Sequence, residues 1–262
     1  MENTIDKSVF LLDMDGTIYL GNVLIDGAKE FLDKIISEGK RYIFLTNNAS
    51  KDKSTYVKKL EALGIRAGMD DVFTSADASI SFLSKLGKKR LFLVGNTSLR
   101  NQLVDAGFEI IDERNQDIDA VLVSFDTELN YEKLWIACDY LQDGYDYYAT
   151  HPDFVCPLEG GRIMPDAGSI IELLYACVGR RPIVIGKPED KMIEALIGAY
   201  GFDKDDLIMV GDRLYTDIAM GHKSGIKSVL VLSGETSLED YKKSDIKADY
   251  IFSSVKDMVE KI

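Results

Sequence analysis

The sequence predicts an α/β fold, a Rossmann-like doubly wound parallel-sheet core with an inserted α/β cap domain, on three observations. Apolar runs of strand length alternate with segments of helical periodicity along the 262 residues. Several of the runs end in acidic or polar residues, as expected at the C-terminal tips of parallel strands. The rhythm restarts near residue 80 and returns near residue 184, which places a catalytic core at 1–79 and 184–262 and the insertion at 80–183.

Val9–Leu12 is the first apolar run, and it ends in Asp13-Met14-Asp15-Gly16-Thr17. A buried strand has no structural use for two carboxylates at its tip. Thr17 to Ile25 alternates around Gly21-Asn22 and reads as a small hairpin beside those carboxylates. Ala28, Phe31, Leu32, Ile35 and Ile36 have helical spacing, with Gly39 as the stop. Arg41 to Leu45 is a strand ending in Thr46-Asn47-Asn48, followed by a helix from Lys51 to Leu63, a short strand at 71–74 and a helix from Asp77 to Leu86.

The insertion repeats the pattern. Strands are expected at 91–95, 120–124 and 145–149, and helices at 97–106, 131–141 and 169–178. After it come a short strand and turn at 182–188 containing Gly186-Lys187-Pro188, and a helix at 190–200. A buried strand from Leu207 ends at Asp212, a helix runs from Thr216 to His222, and strands at 227–232 and 250–252 precede a C-terminal helix.

The formal net charge of -13 repels nucleic acid and anionic membranes, so neither is expected as a partner. The 46% hydrophobic and 29% charged composition is that of a globular chain. Three cysteines without a Cys-x-x-Cys pair, and only two histidines, argue against a disulfide framework or a zinc site and fit a reducing cytoplasm. The acidic start, with Glu2 and Asp6, does not resemble a signal peptide, and no later run is long enough to span a membrane.

The strand tips collect Asp13, Asp15, Thr46, Asn47, Lys187, Asp212 and Asp217. An ionised aspartate, with a reference pKa of about 3.9, is already a nucleophile at neutral pH. Phosphoryl transfer to it needs no base, but the departing alkoxide needs a proton, and a second carboxylate two residues on is placed to supply it. Clustered carboxylates facing a phosphate dianion call for positive charge. Mg²⁺ held by Asp13 and Asp212, with Lys187 on the phosphoryl oxygens and the Thr46 hydroxyl as a donor, supplies it. Taken singly, each residue has a structural explanation, since acids and Thr-Asn-Asn at strand ends form turns and caps. Gly186-Lys187 is not a Walker loop, because Pro188 stands where Ser or Thr is required.

The ordered set resembles the haloacid dehalogenase superfamily of phosphatases. Asp13-Met-Asp-Gly-Thr17 resembles its first motif, Thr46 with Asn47 its second, Lys187 its third and Gly211-Asp212-Arg-Leu-Tyr-Thr-Asp217 its fourth. The long insertion between the second and third motifs is similar to the NagD-like, or p-nitrophenylphosphatase-like, subfamily. The resemblance implies Asp13 as phosphoryl acceptor and Asp15 as acid and base. It implies Mg²⁺ on Asp13, the Asp15 carbonyl and Asp212, with Asp217 supporting these ligands, and Thr46, Asn47 and Lys187 on the phosphate. It also implies a small phosphorylated metabolite as substrate (a sugar phosphate, a nucleotide or pyridoxal phosphate) and admits a homodimer through the cap. Two segments depart from the family's pattern. Thr150-His151-Pro152-Asp153 stands where Thr-Asn-x-Asp is usual, and Pro165-Asp166-Ala167-Gly168 where Pro-Gly-x-Gly is usual. A surface-loop position is expected for His151.

Two other readings use the same residues. A phosphotransferase would pass the phosphoryl group from Asp13 to a second substrate. A phosphoacceptor switch would hold it without turnover, but its paired acids and its acceptor belong on different strands.

Overall fold

The computed structural model describes residues 4–158 and 161–262. Glu2, part of the acidic start, lies outside the described residues. In chain order the strands and α-helices begin with β1 (Val9–Leu12), β2 (Tyr19–Leu20), β3 (Val23–Leu24), α1 (Ala28–Ser37), β4 (Arg41–Thr46), α2 (Lys53–Ala62), β5 (Val72–Thr74) and α3 (Ser75–Lys85). There follow β6 (Arg90–Val94), α4 (Thr97–Asp105), β7 (Glu109–Ile111), β8 (Ala120–Val123), α5 (Tyr131–Gln142) and β9 (Asp146–Ala149). Then come β10 (Val155–Pro157), β11 (Ile163–Pro165), α6 (Ala167–Val178), β12 (Ile183–Val184), α7 (Lys191–Tyr200) and β13 (Leu207–Gly211). The chain closes with α8 (Ala219–Ser224), β14 (Lys227–Val231), α9 (Leu238–Lys243) and β15 (Tyr250–Phe252). No helix among the described residues is long and apolar enough to cross a membrane.

The chain divides into two compact units, one of residues 1–46, 53–73 and 188–262 and one of residues 47–52 and 74–187. The chain crosses between them at Thr46/Asn47, Asp52/Lys53, Phe73/Thr74 and Lys187/Pro188, the last two lying a few residues from the expected 79/80 and 183/184. A helix is a cooperative unit, and α3 runs unbroken across residue 79.

The first unit holds a six-stranded sheet in the order β15-β14-β13-β1-β4-β5. β1 is parallel to both neighbours, pairing Leu12 with Val210 of β13 and with Phe44 of β4. The chain winds outward from β1 through β4 to β5, and in the other direction from β13 through β14 to β15. The reversal between β1 and β13 is the place where an open α/β sheet leaves a crevice at its carboxyl edge. All four residues of β1 are buried, as expected of a strand covered on both faces. Ala28, Phe31, Leu32 and Ile35 of α1 cover part of it, with Phe31 edge-on to Phe10 at 6.1 Å between ring centroids.

The second unit holds its own parallel sheet in the order β12-β9-β8-β6-β7, with Val94, Val121, Val123, Ile136, Ile170 and Leu174 in its core. The hairpin β10–β11 lies outside that sheet.

Four helices differ from the sequence expectation. α3 begins at Ser75 and not Asp77, because Asp77 closes a capping box: its amide donates to Thr74 Oγ1 and its Oδ2 accepts from the Thr74 amide. α6 likewise begins early, with Asp166 as its cap. The helix expected from Thr216 opens as a π-helical turn, Leu214–Ile218, before α8. The C-terminal helix is a 3-10 helix, Val255–Lys261.

Candidate active site

Asp13 is the first residue beyond β1 and Asp212 the first beyond β13, so parallel pairing of the two strands delivers both carboxylates to one sheet edge. The Asp13 amide donates to Val210 O at 2.9 Å, which continues the ladder to the acid itself. Beyond it the chain turns sharply. Met14 O accepts from the amides of Ile18 and Tyr19, and Gly16 N donates to Tyr19 O at 2.7 Å. Gly16 has φ +93°, and a Cβ there would stand 2.4 Å from Asp212 Oδ2, so this turn demands glycine on two counts.

The π-helical turn brings Asp217 to the same edge. Ile218 N donates to Arg213 O five residues back, and Arg213 N donates to Asp217 Oδ2 at 3.2 Å. Wide turns of this kind recur where a helix must aim a side chain at a functional site. Carboxylate oxygens of Asp13, Asp212 and Asp217 all lie within 4.8 Å of one another, with Asp212 and Asp217 buried. Asp217, expected to support the metal from behind its direct ligands, thus shares one cluster with them. Asp15 is exposed on the turn that follows β1.

Three like charges gathered in this way are mutually destabilising without a cation. The donors are hard oxygens, the set that suits Mg²⁺ or a similar divalent ion, and Asp13, Asp212 and Asp217 are the residues that could hold it. Two neighbours show the strength of the local negative field. Burial raises the Tyr19 phenol well above its usual range, and the charges of Asp15 and Asp13 push it further. Burial works against the Arg213 guanidinium, but Asp13, Tyr215, Glu235 and Asp212 outweigh it and hold the group above its usual value.

Thr46 closes β4, the strand beside β1, and is half-buried. In the second unit Asn47 and Lys187 clasp each other. Lys187 N donates to Asn47 Oδ1 at 2.8 Å, and Asn47 Nδ2 donates to Lys187 O at 2.9 Å. These are the residues at which the chain passes from one unit to the other, after Thr46 and before Pro188. Lys187 is 3% exposed. Gly186 is required beside it, since a Cβ there would lie 2.5 Å from Thr150 O and 2.7 Å from Asn47 Oδ1.

Several supporting contacts escaped sequence reasoning. Glu235 N donates to Asp212 Oδ2 at 2.7 Å, Thr236 N to Asp212 O at 3.3 Å, and Thr17 Oγ1 to Asp212 Oδ1 at 3.4 Å. Ser233-Gly234-Glu235-Thr236 follows β14 as a polar, glycine-bearing strand tip, the same signal that marked the other site segments. Asn47 Nδ2 also donates to Asp153 Oδ2 at 3.1 Å. His151 contradicts its expected surface position: it is fully buried, between Thr150 and Asp166. A loop residue was read as exposed because its partner lies 15 residues further along the chain, beyond the reach of local pattern.

Comparison with known proteins places the chain in a family. The haloacid dehalogenase-like hydrolase family matches residues 10–109, and a HAD-hydrolase-like family matches residues 184–258. An acid sugar phosphatase of Staphylococcus haemolyticus is 33% identical, over 94% of this chain and 93% of its own length. The chain belongs to the haloacid dehalogenase-like hydrolases. Within them it is NagD-like and an enzyme. A 4-nitrophenylphosphatase of Thermotoga maritima superposes with a TM-score of 0.91 at 39% identity, covering 97% of each chain. NagD of E. coli gives 0.88 at 30% identity, covering 95% of this chain and 97% of its own. The chloroplastic phosphoglycolate phosphatase 1A of Arabidopsis thaliana is 32% identical over 95% of this chain and 76% of its own length.

Proposed function

We propose that this chain is a Mg²⁺-dependent phosphoric monoester hydrolase acting on small phosphorylated metabolites through an aspartyl phosphate at Asp13. The observation that carries the reading is the meeting of Asp13, Asp212 and Asp217 at the carboxyl edge of β1 and β13, with carboxylate oxygens within 4.8 Å.

An Asp13 carboxylate oxygen attacks phosphorus in line with the ester oxygen. The P–O ester bond breaks, and the leaving oxygen takes the proton of the Asp15 carboxyl group. Water then attacks the phosphorus of the aspartyl phosphate, Asp15 accepts its proton, and Asp13 is regenerated with release of inorganic phosphate. A bound Mg²⁺ on Asp13, the Asp15 carbonyl and Asp212, supported by Asp217, would neutralise charge on the phosphoryl oxygens. Thr46, Asn47 and Lys187 are assigned to phosphate binding. Lys187 provides a cation in a buried setting, where a charge acts with less screening than in water.

The relatives' names share a phosphate ester of a small alcohol or phenol and differ in the rest of the molecule, so recognition is assigned to the phosphate. Choice of leaving group is assigned to the second unit, as a cap.

The test is hydrolysis of 4-nitrophenyl phosphate with Mg²⁺, with chelator, and by Asp13→Asn. Chelation should abolish turnover, and the variant should lose on the order of 10³-fold or more. Turnover surviving Asp13→Asn removes that residue from the nucleophile role. One phosphate released per ester cleaved identifies a hydrolase, and a shortfall matched by a new phosphoester identifies a transferase.

A further inference from the structure

Two segments separated in the sequence, 150–153 and 165–168, meet in the second unit. His151 Nε2 lies 2.8 Å from Asp166 Oδ1, and His151 Nδ1 lies 2.8 Å from Thr150 Oγ1. Thr150 Oγ1 in turn donates to Ser124 Oγ at 2.9 Å. Ser124, Thr150, His151 and Asp166 thus form one chain of hydrogen bonds, in which the Asp166 carboxylate accepts from Nε2 and favours a charged ring. Burial opposes that charge, but the Asp166 hydrogen bond and the charges of Asp166 and Asp153 outweigh it, leaving the His151 pKa raised.

The pair fastens a bend. Residues 150–154 are held against the start of α6, where Gly168 N donates to Asp153 O at 2.7 Å and Ser169 Oγ to Phe154 O at 2.6 Å. Contact is close enough that a Cβ on residue 168 would stand 2.3 Å from Pro152 O. The other side of the bend faces the phosphate-binding residues. Gly186 N donates to Thr150 O at 2.8 Å, and the Asp153 carboxylate accepts from the Asn47 amide that also clasps Lys187.

We infer that His151, held by Asp166, is a positioning residue for phosphate binding. It fixes the 150–153 bend so that Asp153 orients the Asn47 amide and, through it, the backbone of Lys187. His151 is fully buried and acts through these residues alone, with no contact to substrate. The inference rests on the assignment of Asn47 and Lys187 to phosphate.

Calorimetric titration of the full chain with inorganic phosphate in the presence of Mg²⁺ tests it, alongside KM and kcat for 4-nitrophenyl phosphate. His151→Asn or Asp166→Gly alone should weaken phosphate binding about tenfold, the scale of one hydrogen bond to a charged group, and raise KM in step. Asp153→Ala should show the same weakening, and adding His151→Asn to it should cost little more. Unchanged phosphate affinity in the folded single variants overturns the proposal, as does a fall in kcat and thermal stability with KM and phosphate affinity intact. Additive losses in Asp153→Ala with His151→Asn overturn it too. If His151→Asn does not fold, Asp166→Asn keeps an oxygen to cap α6 while removing the charge, and unchanged phosphate affinity in that variant is equally decisive. Calorimetry reads phosphate binding with or without turnover. A chain that binds phosphate but hydrolyses no ester therefore fails the phosphatase reading alone.

Discussion

Asp13 and Asp15 are two residues apart and differ in surroundings: one is half-buried within the acidic cluster, the other exposed on the turn that follows. The difference yields a kinetic prediction. In the proposed mechanism 4-nitrophenolate is a stable leaving group that needs little protonation, whereas the water attacking the aspartyl phosphate must lose a proton. Asp15→Asn should therefore give a burst of nitrophenolate stoichiometric with enzyme, followed by turnover slowed about 10²- to 10⁴-fold. Stopped-flow absorbance would show it, and a slow linear phase with no burst would mean that the first step needs Asp15 as well. His151 carries a pH prediction. Its pKa is raised above 6.5 in the folded state, so its stabilising effect is complete below that value and is lost as pH rises through the folded pKa. The difference in thermal midpoint between wild type and His151→Asn should be largest near pH 6 and shrink as the pH rises. A difference that grows with pH would mean that the imidazole is buried neutral.

At the scale of elements, the site depends on how helices and turns begin. The Thr74 capping box starts α3 at the point where the chain enters the second unit. Thr74→Ala should cost about 1–2 kcal/mol in denaturant unfolding, since the cap hydroxyl is buried and its partner Asp77 loses an acceptor and a donor together. A loss within about 0.3 kcal/mol would mean that the Asp77 carboxylate caps the turn unaided. The π-helical turn of Leu214–Ile218 has a comparable role in the first unit. A regular α-turn from Thr216 would aim Asp217 elsewhere, and Gly211 leaves room for the actual placement, since a Cβ there would stand 2.4 Å from the Asp217 Cγ. These features are invisible to periodicity, because a one-residue change in turn geometry barely alters the spacing of Leu214, Ile218 and their neighbours.

For the molecule as a whole, the acidic cluster links metal binding to stability. A cation that binds the folded cluster and not the unfolded chain stabilises by about 2.7 kcal/mol at 100 times its Kd. Mg²⁺ should raise the thermal midpoint of the wild type, and Asp212→Asn should abolish the rise. A midpoint insensitive to Mg²⁺ in the wild type would leave the cluster without its cation.

The alternation of strand and helix, the parallel sheets and the acids at their tips were legible in the sequence, because burial on both faces demands continuous apolar runs and those runs must end somewhere polar. Asp13 and Asp212 were legible for the same reason, being the residues that follow β1 and β13. Tertiary structure decided what depends on neighbours distant in the chain. Pairing of Leu12 with Val210 brings acids nearly 200 residues apart to one edge. The Asn47 clasp reaches across 140 positions to Lys187, and the buried partnership of His151 with Asp166 turns an expected surface loop into part of the core. Local sequence fixes what a segment prefers, through backbone sterics and apolar spacing. Which side chains then meet is set by the register of strands and the packing of helix starts, where a single hydrogen bond selects among arrangements that local preference leaves equal.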